Sequence, residues 1–252
     1  MQSEWITIIL WVIGAALLMW LVQRELHQHF QGLVLLLTQN DDLAALAHFL
    51  LLSPGIVAHE LSHWLAARLL GVRVGPISIG PRRKRGKQMR FGSVQIVRTD
   101  AVRESLIGLA PLISGTGLVL LLARWGFGLL PTVSPNPAEW PATLADCLQA
   151  PDAWLWVYLI FAISNAMLPS ASDRRAWSTL GLYLALVAIL AYATVGIPSV
   201  SEVWLGWGLR LLSYLAYAFT LTTAIDVGAL SLVLALEWSV GRLTGRRVEY
   251  GP

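Results

Sequence analysis

The segment SPGIVAHELSHWLAARLLG, from Ser53 to Gly71, places two histidines and a glutamate inside an otherwise apolar stretch. Serine is a favourable helix cap and proline is tolerated in a first helical turn, so the segment predicts a fresh helix that begins at Ser53 and ends at Gly71. Residues four apart share a helix face. His59 and His63 can therefore present imidazole nitrogens to one metal ion while Glu60 stands beside it, which is the H-E-x-x-H pattern.

The composition around this segment is that of a membrane protein. The residues AVILMFWYC make up 56% of the chain, whereas soluble domains reach roughly 45–50% with glycine included. Charged residues account for only 13%, and several apolar stretches approach the roughly 20 residues that cross a bilayer core. We therefore expect one integral-membrane domain over residues 1–252, surrounded by the lipid bilayer and carrying no PDZ or CBS module.

The apolar stretches predict an all-α polytopic membrane protein with about six transmembrane helices. Residues 32–38 are too few to cross, and they either lie at the interface or extend a neighbouring helix. Residues 203–240 are too many for one ordinary span and predict an interfacial helix followed by a sixth span. The expected spans are 5–22, 43–71 with the H-E-x-x-H pattern, 104–122, 153–175 with an acidic residue at its end, 176–195, and the last part of 203–240.

Residues 72–101 predict a short membrane-associated β-hairpin after the H-E-x-x-H helix. Strands at 72–79 and 89–97 alternate β-branched and small residues on both sides of a basic, glycine-containing turn. Nine of the eighteen Lys and Arg residues fall between Arg73 and Arg103, which favours a cytoplasmic loop over a nucleic-acid partner.

We expect a multi-pass protein of a prokaryotic cytoplasmic membrane, and the distribution of basic residues predicts its orientation. The hairpin, the Arg174 and Arg175 pair, and the C-terminal tail should all face the cytoplasm. Both termini and the opening of the active site are then expected on the cytoplasmic side, and the loop at 131–152 on the opposite side.

The H-E-x-x-H pattern predicts a zinc hydrolase. Zinc held by two histidines and a carboxylate retains an open position for water, lowers the pKa of that water toward about 7, and lets a nearby glutamate take the proton. Glu60 is the candidate base. The single cysteine, Cys147, excludes a cysteine-based zinc site. A pair of interfacial histidines with a capping glutamate is the plainer alternative, although ionisable groups inside a span are costly and usually functional.

The third ligand must be a carboxylate or imidazole from a later segment. Asp173 stands out because Asn165 and Pro169 precede it, and proline can loosen a helix where a cavity shelters the backbone. Asp226 remains an alternative ligand but is expected to hydrogen-bond to Thr222 or Thr223. His27 and His29 are expected to be solvated. The acidic residues in or beside later spans are Glu104, Asp173, Glu202, Asp226 and Glu237.

With these residues in view, the chain resembles the site-2 protease family of intramembrane zinc metalloproteases from Ser53 to Trp177. That family combines an H-E-x-x-H helix with a later span that carries an N-x-x-P-type stretch and a zinc-binding aspartate. The resemblance implies one Zn²⁺ per chain, bound by His59, His63 and Asp173. It also implies that Glu60 is the catalytic base, that Asn165 binds the substrate, and that the hairpin pairs with an extended substrate. Arg174 stands where the family usually has a glycine.

The expected function is that of an intramembrane zinc metalloendopeptidase, which hydrolyses peptide bonds within or beside transmembrane segments in regulated intramembrane proteolysis. The partner is then a transmembrane protein substrate, selected by the spans themselves or by a regulatory membrane partner. Two alternatives remain open. One is a different membrane zinc protease class whose third ligand is Glu202 or Glu237, and the other is a catalytically inactive protease-like scaffold.

Overall fold

The computed structural model describes residues 2–83, 89–128, 149–195, 202–248 and 250. A two-stranded antiparallel sheet interrupts a series of helices, as the hairpin and helical fold class predict. Cys147 and most of the expected loop at 131–152 lie outside the described residues. The elements are α1 (Gln2–Thr38), α2 (Asp41–Leu69), β1 (Val74–Arg83), β2 (Met89–Ile96), α3 (Ala101–Phe127), α4 (Ala153–Ser164), α5 (Trp177–Val195) and α6 (Glu202–Thr244).

Among the described residues, four helices are long and apolar enough to cross a membrane, namely α1, α2, α3 and α6. The other two apolar helices, α4 and the 177–187 part of α5, are shorter. Large apolar side chains on the outer faces are exposed, with 63% exposure for Leu10 and 64% for Val187. Water does not favour such surfaces over whole helices, so these faces are consistent with a lipid environment.

Helix α2 is continuous, so the predicted fresh start at Ser53 is wrong. It begins after Asn40, whose side chain accepts hydrogen bonds from N–H groups of the first turn. Pro54 lies inside the helix and cannot donate to the carbonyl of Leu50. The hydroxyl of Ser53 donates to that carbonyl instead, at 2.9 Å. The predicted end is confirmed, because the helix stops just before Gly71, whose φ is 71°.

Helices α1 and α6 are each longer than predicted. The apolar residues 32–38 extend α1 to Thr38, which was one of the two expectations for that piece. Residues 203–240 form part of one continuous helix, so the predicted break into an interfacial helix and a span is wrong. Three polar residues of α6 between Thr220 and Glu237 bond to side chains of α1.

The contacts between α1 and α6 follow the same order in both helices, so the two helices are parallel. Trp11 donates to Thr220 at 3.2 Å. Further along both helices, Gln23 bonds to Asp226 and His29 bonds to Glu237. The start of α1 and the end of α6 therefore lie at opposite ends of the bundle. This arrangement is at odds with the expectation that both termini share one face.

The two ends of the bundle can be named by what they carry. The hairpin end holds the base of the sheet, at Val74 and Ile96, together with the end of α2 and the start of α1. The turn end holds the connection at Gln39 and Asn40 between α1 and α2, together with the end of α6. Gln39 has a φ of 55°, and this left-handed residue lets the chain reverse within two residues.

The end of helix α4 is buried within the bundle. Five consecutive residues at its end, from Ile160 to Ser164, are buried. Phe161 packs with Leu52 and Ile56 of α2 and with Val233 of α6. A helix that is apolar on all sides fits a buried position. Burial places the end of α4 against α2, next to the H-E-x-x-H residues.

The hairpin confirms the predicted strand pair, with shifted boundaries. Ile77 of β1 pairs with Val94 of β2, and Ile79 pairs with Gly92. Helix α3 then begins after Asp100, whose carboxylate accepts the N–H of Arg103 at 3.0 Å. That hydrogen bond is the largest cause of the lowered pKa of the Asp100 carboxyl. The hairpin turns α3 back along α2 and brings the start of α3 close to the end of α2.

Candidate metal centre

The structure brings His59, His63 and Asp173 together. The two histidines lie one turn apart on α2, and Asp173 lies in the turns between α4 and α5. One ligand atom from each residue lies within 4.8 Å of the others. The Nε2 atoms of the histidines are 3.1 Å apart, and the Asp173 oxygens lie 3.3 Å from His63 Nε2 and 3.8 Å from His59 Nε2.

These separations match those of ligands around one small metal ion. Tetrahedral ligands at bond lengths of about 2.0–2.1 Å lie roughly 3.4 Å from one another. The three observed separations, 3.1, 3.3 and 3.8 Å, bracket this value. A single ion can therefore bind all three side chains with only small rotations.

Hydrogen bonds to main-chain carbonyls orient both imidazole rings. Nδ1 of His59 donates to the carbonyl of Ala166 at 2.6 Å, and Nδ1 of His63 donates to that of Ile107 at 2.8 Å. A carbonyl oxygen can only accept, so each Nδ1 carries a proton and each neutral ring has its lone pair on Nε2. Two lone pairs and a carboxylate then face one point, which favours a cation. Metal-binding histidines typically donate their other ring N–H to a carbonyl or carboxylate in this way.

The backbone around Asp173 is held in place by its own turn and by α3. The carboxylate of Asp173 accepts the N–H of Ser170 at 2.7 Å. A Cβ atom at Gly108 of α3 would overlap the carbonyl oxygen of Asp173. Glycine at this position therefore allows α3 to approach the ligand segment. Arg174 joins the same turn, since its N–H donates to the carbonyl of Ser170 at 3.2 Å.

Glu60 lies beside the three ligands and against the hairpin. Its side chain is buried, and it packs on Gly92 of β2. A Cβ atom at Gly92 would lie 2.5 Å from Oε1 of Glu60 and 2.8 Å from its carboxyl carbon. Glycine at this strand position therefore leaves the space that the glutamate occupies.

A cavity of about 930 Å³ contains the three candidate metal ligands and Glu60. Its other walls are residues 91–94 of β2, the first turns of α3 and the segment from Ser170 to Ala176. The volume lies in the range of about 300–1,000 Å³ that is usual for ligand sites. Four consecutive strand residues border the cavity, so the backbone of β2 lies along it.

Asn165, predicted to bind substrate, lies in a separate buried cluster. Its Nδ2 donates to the carbonyl of Phe161 at 2.9 Å and to Asp226 at 2.7 Å. Its Oδ1 lies 3.0 Å from Nε2 of His27. Both polar atoms of the side chain are thus engaged by the protein in this structure.

Three expectations about other polar residues are wrong. His27 is bonded to Asn165, and Nδ1 of His29 lies 2.6 Å from Glu237, so neither histidine is simply solvated. Asp226 is fully buried and forms no hydrogen bond with Thr222 or Thr223, because it accepts hydrogen bonds from Asn165 and Gln23 instead. The cause is the same in each case, because α1 continues through its polar segment and packs along α6.

Two buried polar residues were missed in the sequence. Gln23 is 4% exposed and His48 is 6% exposed. Nδ1 of His48 lies 2.9 Å from the side-chain nitrogen of Gln31. Their burial could have been predicted from their position, because each is a polar residue within or at the end of an apolar stretch. Neither belongs to the metal-binding group.

Comparisons with known proteins identify no relative. No family model, no curated protein and no solved structure matches the chain. The chemistry of the site must therefore be judged from the geometry of its own residues. In the part of the chain that the structure describes, Asp173 is the carboxylate that joins the histidines, whereas Glu237 is bonded to His29 and Tyr250.

Proposed function

We propose that the protein is an intramembrane zinc metalloendopeptidase of the site-2 protease type. It would hydrolyse peptide bonds within or beside the transmembrane segments of other proteins. The observation that carries this proposal is the convergence of His59, His63 and Asp173 in a cavity that also holds Glu60.

The ligand set fits zinc. Two imidazoles and one carboxylate are a common catalytic zinc set, and a tetrahedral ion would keep one position open. Zinc at this position supplies Lewis acidity, which makes an attacking water more acidic and a peptide carbonyl more electrophilic. His59 and His63 are already oriented for this role by the carbonyls of Ala166 and Ile107.

Glu60 would act as the general base. Its carboxylate takes one proton from the attacking water as the water oxygen bonds to the peptide carbonyl carbon. The same carboxyl group then passes a proton to the leaving nitrogen as the C–N bond breaks. The burial of Glu60 against Gly92 restricts the positions that the carboxylate can adopt.

The hairpin supports a substrate in extended conformation. A peptide bond within a helix is shielded by its own hydrogen bonds, so a transmembrane segment must unwind locally before it is cut. Among the described residues each strand of the sheet has one edge without a neighbouring strand, and residues 91–94 of β2 lie along the cavity. An extended segment can add to such an edge through main-chain hydrogen bonds.

The distribution of tryptophan and arginine on α6 supports a bilayer around the bundle. The guanidinium of Arg210 lies 5.4 Å from the ring centre of Trp207, and that of Arg242 lies 5.1 Å from the ring centre of Trp238. The two tryptophans are about 46 Å apart at 1.5 Å per residue. This distance is close to the roughly 40–45 Å of a bilayer with its headgroups, and paired Trp and Arg residues are typical interface anchors.

A reconstituted assay tests the proposal. The protein is placed in proteoliposomes with single-span model proteins whose segments carry either helix-weakening Gly, Asn and Pro residues or leucine alone. We expect cleavage of the weakened segments, loss of cleavage after chelation, and recovery when zinc is added back. Cleavage that resists complete removal of the metal would contradict a metalloprotease. Zinc binding without cleavage of any segment would favour the inactive scaffold.

A further inference from the structure

A fully buried carboxylate lies outside the candidate metal centre and has no role in the proposed reaction. Asp226 is 0% exposed and lies within α6. Its Oδ2 accepts from Nε2 of Gln23 at 2.9 Å, and its Oδ1 accepts from Nδ2 of Asn165 at 2.7 Å. Both carboxylate oxygens are thus used to hold side-chain amides, one from α1 and one from the end of α4.

The amide of Asn165 has one defined orientation. Its Nδ2 also donates to the carbonyl of Phe161, which can only accept, so the oxygen must point toward His27. Gln23 adds a weaker contact of 3.4 Å to the carbonyl of Ser164. The end of α4 is therefore hydrogen-bonded at two successive residues, Ser164 to α1 and Asn165 to α6.

The held turn leads directly to the metal centre. Asn165 is the cap of α4, and the next residue, Ala166, supplies the carbonyl that accepts Nδ1–H of His59 at 2.6 Å. A displacement of the cap would move this carbonyl and with it the ring of His59. His63 has an independent partner on α3 and would not follow.

We propose that Asp226 is a positioning residue for His59, which it orients through Asn165 and the carbonyl of Ala166. This inference rests on the proposed metal site and adds a residue that does not contact the metal. Two donors converge on the carboxylate of Asp226, so an oxygen acceptor is needed there. An apolar side chain of similar volume would remove the shorter of the two hydrogen bonds that each amide donates, at 2.7 Å for Asn165 and 2.9 Å for Gln23.

The test compares isosteric variants by zinc affinity and by the absorption spectrum of the Co²⁺-substituted protein. Asp226→Leu removes both acceptors and is expected to weaken zinc binding about tenfold, as loss of outer-shell support typically does, and to change the Co²⁺ spectrum. Asp226→Asn keeps an acceptor for Asn165 and is expected to restore both properties to near the wild-type values. Asn165→Leu breaks the same link from the other side and decides the test if Asp226→Leu does not fold.

Thr223→Val is the matched control. Thr223 is also buried on α6, and its hydroxyl donates to the carbonyl of Phe219 within the same helix. Its loss should lower stability without altering zinc affinity or the Co²⁺ spectrum. In the double variant of Asp226→Leu and Asn165→Leu, the losses should not add, because both changes break one link.

The outcomes separate this inference from the proposed function. If the wild-type protein binds zinc and Asp226→Leu binds it equally well, the positioning role is overturned and the metal site stands. If Thr223→Val weakens zinc as much as Asp226→Leu does, the effect is general destabilisation and the inference also fails. If the wild-type protein binds neither zinc nor Co²⁺, both proposals fail together.

Discussion

Nε2 of His63 lies 3.3 Å from Oδ1 of Asp173, although the two residues belong to segments separated by the hairpin, α3 and α4. The contact depends on α3, which touches both partners. The carbonyl of Ile107 accepts a hydrogen bond from Nδ1 of His63, and Gly108 lies against the carbonyl of Asp173. Consecutive residues of one helix thus align a ligand from α2 with a ligand from the segment after α4.

Removal of the carboxylate ligand should abolish tight metal binding. Asp173→Ala is expected to weaken zinc affinity by more than about 100-fold, which exceeds the roughly 10–100-fold effect of outer-shell changes. Equilibrium competition with a chelating dye measures this. Asp41→Ala, at an exposed position in the first turn of α2, is the control and should bind zinc as the wild type does. Equal affinity in both variants would remove Asp173 from the site.

The close approach at Gly108 predicts a steric effect on the site. Gly108→Ala places a methyl group where the carbonyl oxygen of Asp173 lies, so the ligand segment must shift and zinc affinity should fall about tenfold. Gly117→Ala on the same helix is the matched control, because no atom lies within 4 Å of its added Cβ. Alanine there should leave zinc affinity unchanged and favour the helix by up to about 1 kcal/mol.

The contact between Gly92 and Glu60 predicts a variant that separates metal binding from catalysis. Gly92→Ala should push the glutamate away from its position while the three ligands remain in place. We expect unchanged zinc content and a kcat lowered about 10- to 100-fold, part of the roughly 10²–10⁴-fold that a general base contributes. Gln95→Ala, at an exposed position on the same strand, should behave like the wild type. A loss of zinc in Gly92→Ala would show that the strand supports the ligands rather than the base.

The parallel pairing of α1 and α6 predicts which residues share a membrane face. In a Cys147→Ser background, single cysteines at Arg98 near the hairpin end and Arg247 near the turn end should react with an impermeant maleimide from opposite faces of sealed vesicles. Labelling of both from the same face would contradict the arrangement of α1 and α6 and restore the even number of crossings expected from the basic residues.

Much of the candidate site could be predicted from short-range pattern. The spacing of His59 and His63 defines a shared helix face whatever the fold, and Asp173 was distinguished by the residues that precede it. The carbonyls that orient the histidines could not be predicted, because Ala166 and Ile107 contribute main-chain atoms that no side-chain pattern marks. Their roles depend on how α3 and α4 pack.

The sequence predicted which segments are helices and which are strands better than it predicted where each element begins and ends. Pro54 was expected to lie in the first turn of a new helix. The helix continues through it instead, because the hydroxyl of Ser53 donates to the carbonyl of Leu50, to which proline cannot donate. The polar residues of α1, such as His27 and His29, indicated a solvated segment. The partner of His27 is Asn165 at the end of α4, and the partner of His29 is Glu237 on α6, 208 residues away along the chain. Only the tertiary structure reveals these pairings.

Cleavage by the Glu60→Gln variant, measured together with its zinc content, is the most direct test of the proposed reaction. Glutamine has nearly the same shape as glutamate but cannot accept the proton of the attacking water. The variant should retain one zinc ion per chain and cut the weakened single-span segment at least about 100-fold more slowly than the wild type. Cleavage at the wild-type rate with zinc bound would contradict the assignment of Glu60 as the base and, with it, the proposed mechanism.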